Sequence, residues 1–332
     1  MIVTLTANPS LDRTVELSSP LARGEVQRAV AVHQHSGGKG VNVSRALVAS
    51  GLDTVAVLPG GDSDPVLAGL LDDGVPYAAL PITEPLRSNV TLTEPDGVTT
   101  KINEPGPELS AHQQEALIGL LLERSRGASW VVLAGSLPPG VPADFYATVA
   151  RRLRSGNDDG GTPLIAMDSS GSPLVAAISG DSGGNVSGKP DLLKPNAEEL
   201  AELAAAAGLT DVHTADELEA DPGLAARAAA AVVGSGVGAV LATLGSKGAV
   251  LVTADGAWLA THPPIQAVST VGAGDSSLAG YLLAATNGGS AQDCLRQAVA
   301  HGAAAASLPG STVPAVHQTT PDAVTITALQ KD

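Results

Sequence analysis

The chain opens on Ile2–Ala7, an apolar, β-branched run that predicts a buried strand. Thr14–Leu17 and Gln27–Val32 alternate apolar and polar positions, as half-exposed strands do. A glycine-rich break at Ser36–Gly40 precedes Val41–Ser50, where Val43, Leu47 and Val48 mark a helix. Thr54–Leu58 predicts a buried strand and Pro65–Leu71 a helix. Asn89–Thr93 and Val98–Ile102 flank Pro95-Asp96-Gly97, a turn sequence, and so predict a hairpin.

Beyond Ser110 the pattern becomes a long alternation of helix and strand. Helices are predicted over His112–Arg124 (with Ser110 as N-cap), Asp144–Arg154, Ala197–Ala207, Leu224–Val233, Ser276–Thr286 and Ala291–Ala306. Strands are predicted at Trp130–Ala134, Leu164–Asp168, Asp191–Leu193, Ala239–Thr243 and Ala249–Thr253. This rhythm argues a mainly parallel sheet covered by helices on both faces. The strands near residues 14–32 and 89–102 break it. They read as a small antiparallel sheet projecting from the main body, suited to a mobile flap over a cleft. Ser155–Gly161, Gly180–Gly188 and the tail after Ser311 are rich in Gly, Ser, Asp and Pro and read as loose. No internal repeat or interdomain linker stands out, so one domain over 1–332 is expected.

Composition narrows the picture. Hydrophobic residues make up 44% of the 332 positions but aromatics only 2%, so the core must be packed from small aliphatic side chains. The net charge of −16 repels nucleic-acid phosphates and anionic membranes, although solubility alone explains it equally well. Any anionic substrate must then be met by a few well-placed cations. Cys294 is the single cysteine, which excludes an internal disulfide and a cysteine zinc site. No apolar stretch reaches the ~20 residues of a membrane-spanning helix, and the opening MIVTLTANPS does not read as a leader; a cytoplasmic protein is expected.

Several segments carry candidate chemistry. In Ser269–Ser277 the glycines Gly272 and Gly274 precede a helix. Converging amides and the helix dipole would form an anion hole there, and the dipole should keep Asp275 ionised, fit to take a proton from a hydroxyl. A capping carboxylate on an ordinary turn is the equal alternative. Ser36–Asn42 is glycine-rich but no Walker A loop, since Lys39 is followed by Gly40; Lys39 and Asn42 can bind ligand oxygens, or the loop is only a tight connection. Asn196 and Glu199 have capping-box spacing, and can also face a metal-phosphate region through water. Thr243–Gly248 joins two strands and can lie against a nucleotide or be a plain turn. Asp12, after the first strand, can bind sugar hydroxyls or cap a turn. Arg87, before the hairpin, is either a phosphate clamp or a surface arginine. The seven histidines are scattered and read as non-catalytic.

In order, TLTANPSLDRT, GGKGVNVSRAL, GSLPPGVP, LLKPNAEEL, TLGSKGAVLV and STVGAGDSSLAGYL resemble the phosphofructokinase B branch of the ribokinase-like sugar kinases, from the first strand to about Gly310. The resemblance implies a ribokinase-like three-layer α/β/α sandwich with a small β-sheet lid built from about 12–34 and 87–104. It implies Asp275 as catalytic base and Gly272, Ala273 and Gly274 as anion hole. Asp12, Gly38, Lys39, Asn42, Arg87 and Ser136 fall on the sugar side, with Arg87 meeting an existing substrate phosphate. Lys194, Asn196, Thr243, Gly245 and Gly248 fall on the nucleotide side, and Glu199 meets Mg²⁺ through water. ATP and Mg²⁺ are the implied cofactors, and the lid is an implied homodimer contact. The run Ile102–Pro107 is similar to 1-phosphofructokinases, whereas Lys101 departs from close relatives. The implied reaction is phosphorylation of fructose 1-phosphate. Tagatose 6-phosphate or fructose 6-phosphate kinase is the near rival, a kinase of unphosphorylated sugars or nucleosides the more distant one, and a catalytically silent sugar- or nucleotide-binding regulator the rival of another class.

Overall fold

The structure is a computed structural model that describes residues 1–156, 161–179, 187–211 and 213–330. The strands are β1 (Ile2–Thr6), β2 (Ser10–Leu17), β3 (Ala29–Gly37), β4 (Thr54–Pro59), β5 (Tyr77–Leu80), β6 (Arg87–Thr93), β7 (Thr99–Asn103), β8 (Trp130–Ala134), β9 (Leu164–Asp168), β10 (Leu192–Leu193), β11 (Ala239–Thr243), β12 (Ala249–Thr253), β13 (Ala257–Thr261) and β14 (Thr325–Leu329). The helices are α1 (Lys39–Ala49), α2 (Pro65–Asp72), α3 (Ala111–Arg124), α4 (Phe145–Ser155), α5 (Ser172–Ile178), α6 (Ala197–Ala206), α7 (Ala215–Ala220), α8 (Pro222–Gly234), α9 (Ala273–Thr286) and α10 (Ala291–Ala306).

Ten strands form one sheet in the order β14-β13-β12-β11-β10-β9-β8-β1-β4-β5, and β3-β2-β6-β7 form a second. From β11 to β5 neighbours run parallel; β12, β13 and β14 pair antiparallel. Every residue of β1 and β8 is buried, as a parallel strand covered on both faces requires. Their side chains alternate between two cores. Val3, Leu5, Val131 and Leu133 join one with Leu117 and Tyr146, while Ile2, Trp130 and Val132 join the other with Leu47, Leu278 and Leu295. The mainly parallel sheet between helical layers is as expected. The C-terminal ends of β1, β8, β9, β10 and β11 therefore open along one edge, where ligands bind in open α/β sheets.

The small sheet also differs in detail. Its strands begin earlier and end later than the alternation suggested, at Ser10 and Gly37, so Ser36 and Gly37 belong to β3 and α1 starts at Lys39. β2 and β6 lie parallel within it. The tail after Ser311 is not loose throughout: β14 pairs with β13 from Ala257↔Leu329 to Thr261↔Thr325. Pro309 and Pro314 drew the reading toward a loop, while the β-branched Thr325-Ile326-Thr327 supplies the strand. Most of the glycine-rich stretches at 155–161 and 180–188 lies outside the described residues.

Candidate active site

α9 begins where a glycine is needed. Gly272 caps it at φ 76, in the left-handed region, so the chain can turn sharply after Val271. The amides of Gly274 and Asp275 meet no acceptor among the described residues, whereas Ala273 already donates to Thr270 O at 3.3 Å. The anion hole expected over Gly272–Gly274 thus reduces to the amides that remain unspent.

Asp275 lies in the first turn of α9 and is only 8% exposed. Asn42 Nδ2 on α1 donates to its Oδ2 at 2.8 Å, so Asn42 meets the carboxylate directly. Burial, then the negative charge of Asp168, push Asp275 up to about 6 against Lys194, Lys39 and the Asn42 hydrogen bond. Desolvation thus outweighs the favourable helix dipole, although a carboxyl pushed up to about 6 is still mostly ionised at neutral pH.

Asp168 ends β9 with no exposure at all. Lys39 Nζ lies 2.7 Å from its Oδ1 and Lys194 Nζ 2.9 Å from its Oδ2. Burial opposes its ionisation, but the two ammonium groups win and hold it below the usual carboxylate range. Burial likewise opposes the charge on Lys39, which Asp168 and Glu199 restore and strengthen. Lys194 also sits beside Gly274, where an added Cβ would stand 3.2 Å from Nζ. Sequence reading missed Asp168. Its one signal is position, a carboxylate at the C-terminal end of a buried parallel strand.

Asn196 and Glu199 form a reciprocal capping box on α6, at 2.8 and 2.9 Å. Glu199 Oε1 also lies 3.4 Å from Lys39 Nζ. Thr243 joins this region by donating its amide to Pro195 O at 3.0 Å. Gly245 and Gly248 follow in the β11–β12 connection. Gly248 has φ 95 and abuts the Ala260 carbonyl, so no side chain fits there.

A second group lies at the base of the small sheet. Ser10 Oγ donates to Asp12 Oδ1 at 2.8 Å, and Asn89 Nδ2 donates to the same oxygen at 3.0 Å, while the Asp12 carboxylate packs on Gly37. Arg87 Nη1 donates to Glu104 O at 3.2 Å, and its buried Nε has no partner among the described residues. Asn8 Nδ2 donates to Pro105 O at 3.0 Å and reaches Ser136 Oγ at 3.4 Å. Ser136 also lines a cavity of about 340 Å³ with Leu137, Val141 and Ser172. Gly38, the N-cap of α1, packs on Thr6 and Pro9 and so joins this group to Lys39. Among the described residues no group of three or more His, Cys, Asp or Glu is placed to hold a metal.

The sheet order, the side sheet and a site at the start of α9 define the ribokinase-like class of α/β proteins. The chain belongs to the pfkB family of carbohydrate kinases, whose profile matches residues 5–318. It is 35% identical over 315 residues to the ATP-dependent 6-phosphofructokinase isozyme 2 of Mycobacterium tuberculosis, spanning 93% of this chain and 85% of that one. It is 33% identical over 308 residues to the 1-phosphofructokinase of Escherichia coli strain K12, spanning 92% and 91%. The tetrameric inhibited form of phosphofructokinase-2 from Escherichia coli superposes with a TM-score of 0.79 at 29% identity, covering 93% and 95%.

Proposed function

We propose that this carbohydrate kinase transfers the γ-phosphoryl group of ATP to the C6 hydroxyl of fructose 1-phosphate. The observation that carries it is the buried Asp275 carboxylate set at the start of α9 among Lys39, Lys194 and Asn42. A hydroxyl placed beside Asp275 gives up its proton to that carboxylate as its oxygen bonds to the γ-phosphorus. The bond from that phosphorus to the bridging oxygen breaks, and ADP leaves with the electron pair. The open amides of Gly274 and Asp275, with the Lys194 ammonium beside them, meet the charge on the transferring group. Asn42 fixes the carboxylate, and Arg87 and Lys39 hold the existing sugar phosphate.

The donor set suits Mg²⁺ held chiefly by phosphates and water, with Glu199 as an outer carboxylate, since no cage of three carboxylates is present among the described residues. Bound there, the ion would neutralise the phosphate charge. Glu199 already spends one oxygen on the Asn196 amide and one beside Lys39, which leaves it an indirect role.

A 6-phosphofructokinase is the second reading, supported by the 35% identity to the mycobacterial isozyme. A coupled ADP-release screen over fructose 1-phosphate, fructose 6-phosphate, tagatose 6-phosphate, fructose and ribose tests both. We expect the highest kcat/KM with fructose 1-phosphate. A preference for any other sugar would replace this assignment, and Arg87→Ala should cripple phosphosugar use while sparing a neutral sugar.

A further inference from the structure

We propose that Asp168 is a positioning residue for phosphoryl transfer, a buried strut that fixes the ammonium groups of Lys39 and Lys194 relative to each other and to Asp275. The inference rests on the kinase reading above. Asp168 gives one oxygen to each lysine, at 2.7 and 2.9 Å. Its own backbone is pinned, since its carbonyl accepts from the Gly135 amide at 2.8 Å. The lysines arrive from separate elements: Lys39 opens α1, and Lys194 follows β10. A lysine stem is flexible, so without the strut each ammonium would be free to wander and the two would repel. A displacement of about 1 Å costs on the order of 100-fold in rate when the displaced group orients a reaction.

The buried carboxylate would be costly were its only role to fill space, because an apolar residue of similar size often packs as well or better. What an apolar residue cannot do is balance two ammonium charges before the phosphates arrive. With Asp275 ionised, Asp168 and Asp275 match the charge of the two lysines, and Glu199 lies against Lys39 beside them. The groups that face Asp275 are Asp168 from β9, Lys194 after β10, and Lys39 and Asn42 from α1. Glu199 of α6 meets Lys39, and α10, packed against α9, places its His301 at Gly280 further along the helix.

The test compares wild type with Asp168→Asn and Asp168→Glu, each confirmed folded by circular dichroism and thermal melting. We expect kcat to fall about 10- to 100-fold in both. The pH profiles should differ. Asp168→Asn removes a negative charge near Asp275 and leaves Lys39 with Glu199 as its remaining ion pair, so the acid limb of kcat moves to lower pH, by roughly one unit. Asp168→Glu keeps the charge and leaves the limb in place. A folded Asp168→Asn enzyme with kcat within about twofold of wild type, or with an unmoved acid limb, overturns the proposal. Should Asp168→Asn fail to fold, Asp168→Glu carries the test, and wild-type kcat in it is the overturning result. A wild-type chain inert with every sugar sinks the kinase reading and this proposal together; an active wild type with indifferent variants sinks this proposal alone.

Discussion

At the scale of single residues, the base role proposed for Asp275 carries a pH dependence of turnover. A base works only when ionised, so turnover should fall as pH drops through about 6. Its contribution to stability has the opposite sign. A carboxyl whose folded pKa is raised favours the folded state at low pH, and that contribution is lost as pH rises through about 6. Asp275→Asn, neutral throughout, should lower kcat by about 10³-fold while ATP binding measured by calorimetry is kept. It should also melt above wild type at pH 8, by a margin that narrows as pH falls through about 6 towards the ordinary carboxyl value of 3.8. Near-normal turnover in that variant would remove Asp275 from the base role. Much of this centre was legible in the sequence, because Lys39, Asn42, Lys194, Glu199 and Asp275 each sit in a local motif. Asp168 was not, since it merely ends an apolar run, LIAMD, and only the order β10-β9-β8-β1 sets it between two lysines from elsewhere. The upward shift of Asp275 was not legible for the same reason: a dipole is local, whereas burial and the Asp168 carboxylate are tertiary.

At the scale of elements, the pairing of α9 with α10 depends on the absence of a side chain at Gly280. A Cβ there would stand 2.5 Å from Gln297 O and 2.8 Å from the His301 ring. His301 is fully buried and bonded to Ser50 and Gln297, so it cannot step aside cheaply. Gly280→Ala should therefore destabilise the fold by roughly 1–3 kcal/mol, read from a denaturant midpoint. Gly119 on α3 is the converse, exposed with nothing within 4 Å, and Gly119→Ala should stabilise by ~1 kcal/mol. Equal effects of the two substitutions would refute this packing account. The same contrast between local and tertiary causes explains which elements could be read. Strands β8, β9, β11 and β12 and helix α10 have the bounds their patterns gave, because each is a strong run with clear ends. Tyr77–Leu80, Ser172–Ile178, Ala215–Ala220 and Ala257–Thr261 went unread: they are short, and three-dimensional neighbours rather than their own pattern stabilise them.

At the scale of the whole molecule, the small sheet has two unlike faces. Arg13 and Val15 of β2 align with Gln34 and Val32 of β3 and with Val90 and Leu92 of β6, and Val90 aligns with Ile102 of β7. The alternate positions are polar: Asp12 and Thr14 align with His35 and His33 and with Asn89 and Thr91. The polar face carries Asp12. The other carries Val32 at 48% exposure and Ile102 at 56%, which an isolated sheet gains nothing by presenting to water. A second copy of this chain, laid sheet to sheet, would cover it. The net charge of −16 opposes such pairing at long range, so the contact must be short-ranged and apolar, and salt should strengthen it. The expected outcome is a wild-type dimer by sedimentation at micromolar concentration and a monomer for Val32→Asp/Ile102→Asp, with unchanged far-ultraviolet circular dichroism. A monomeric wild type at those concentrations, or a double variant that still dimerises, would place the interface elsewhere.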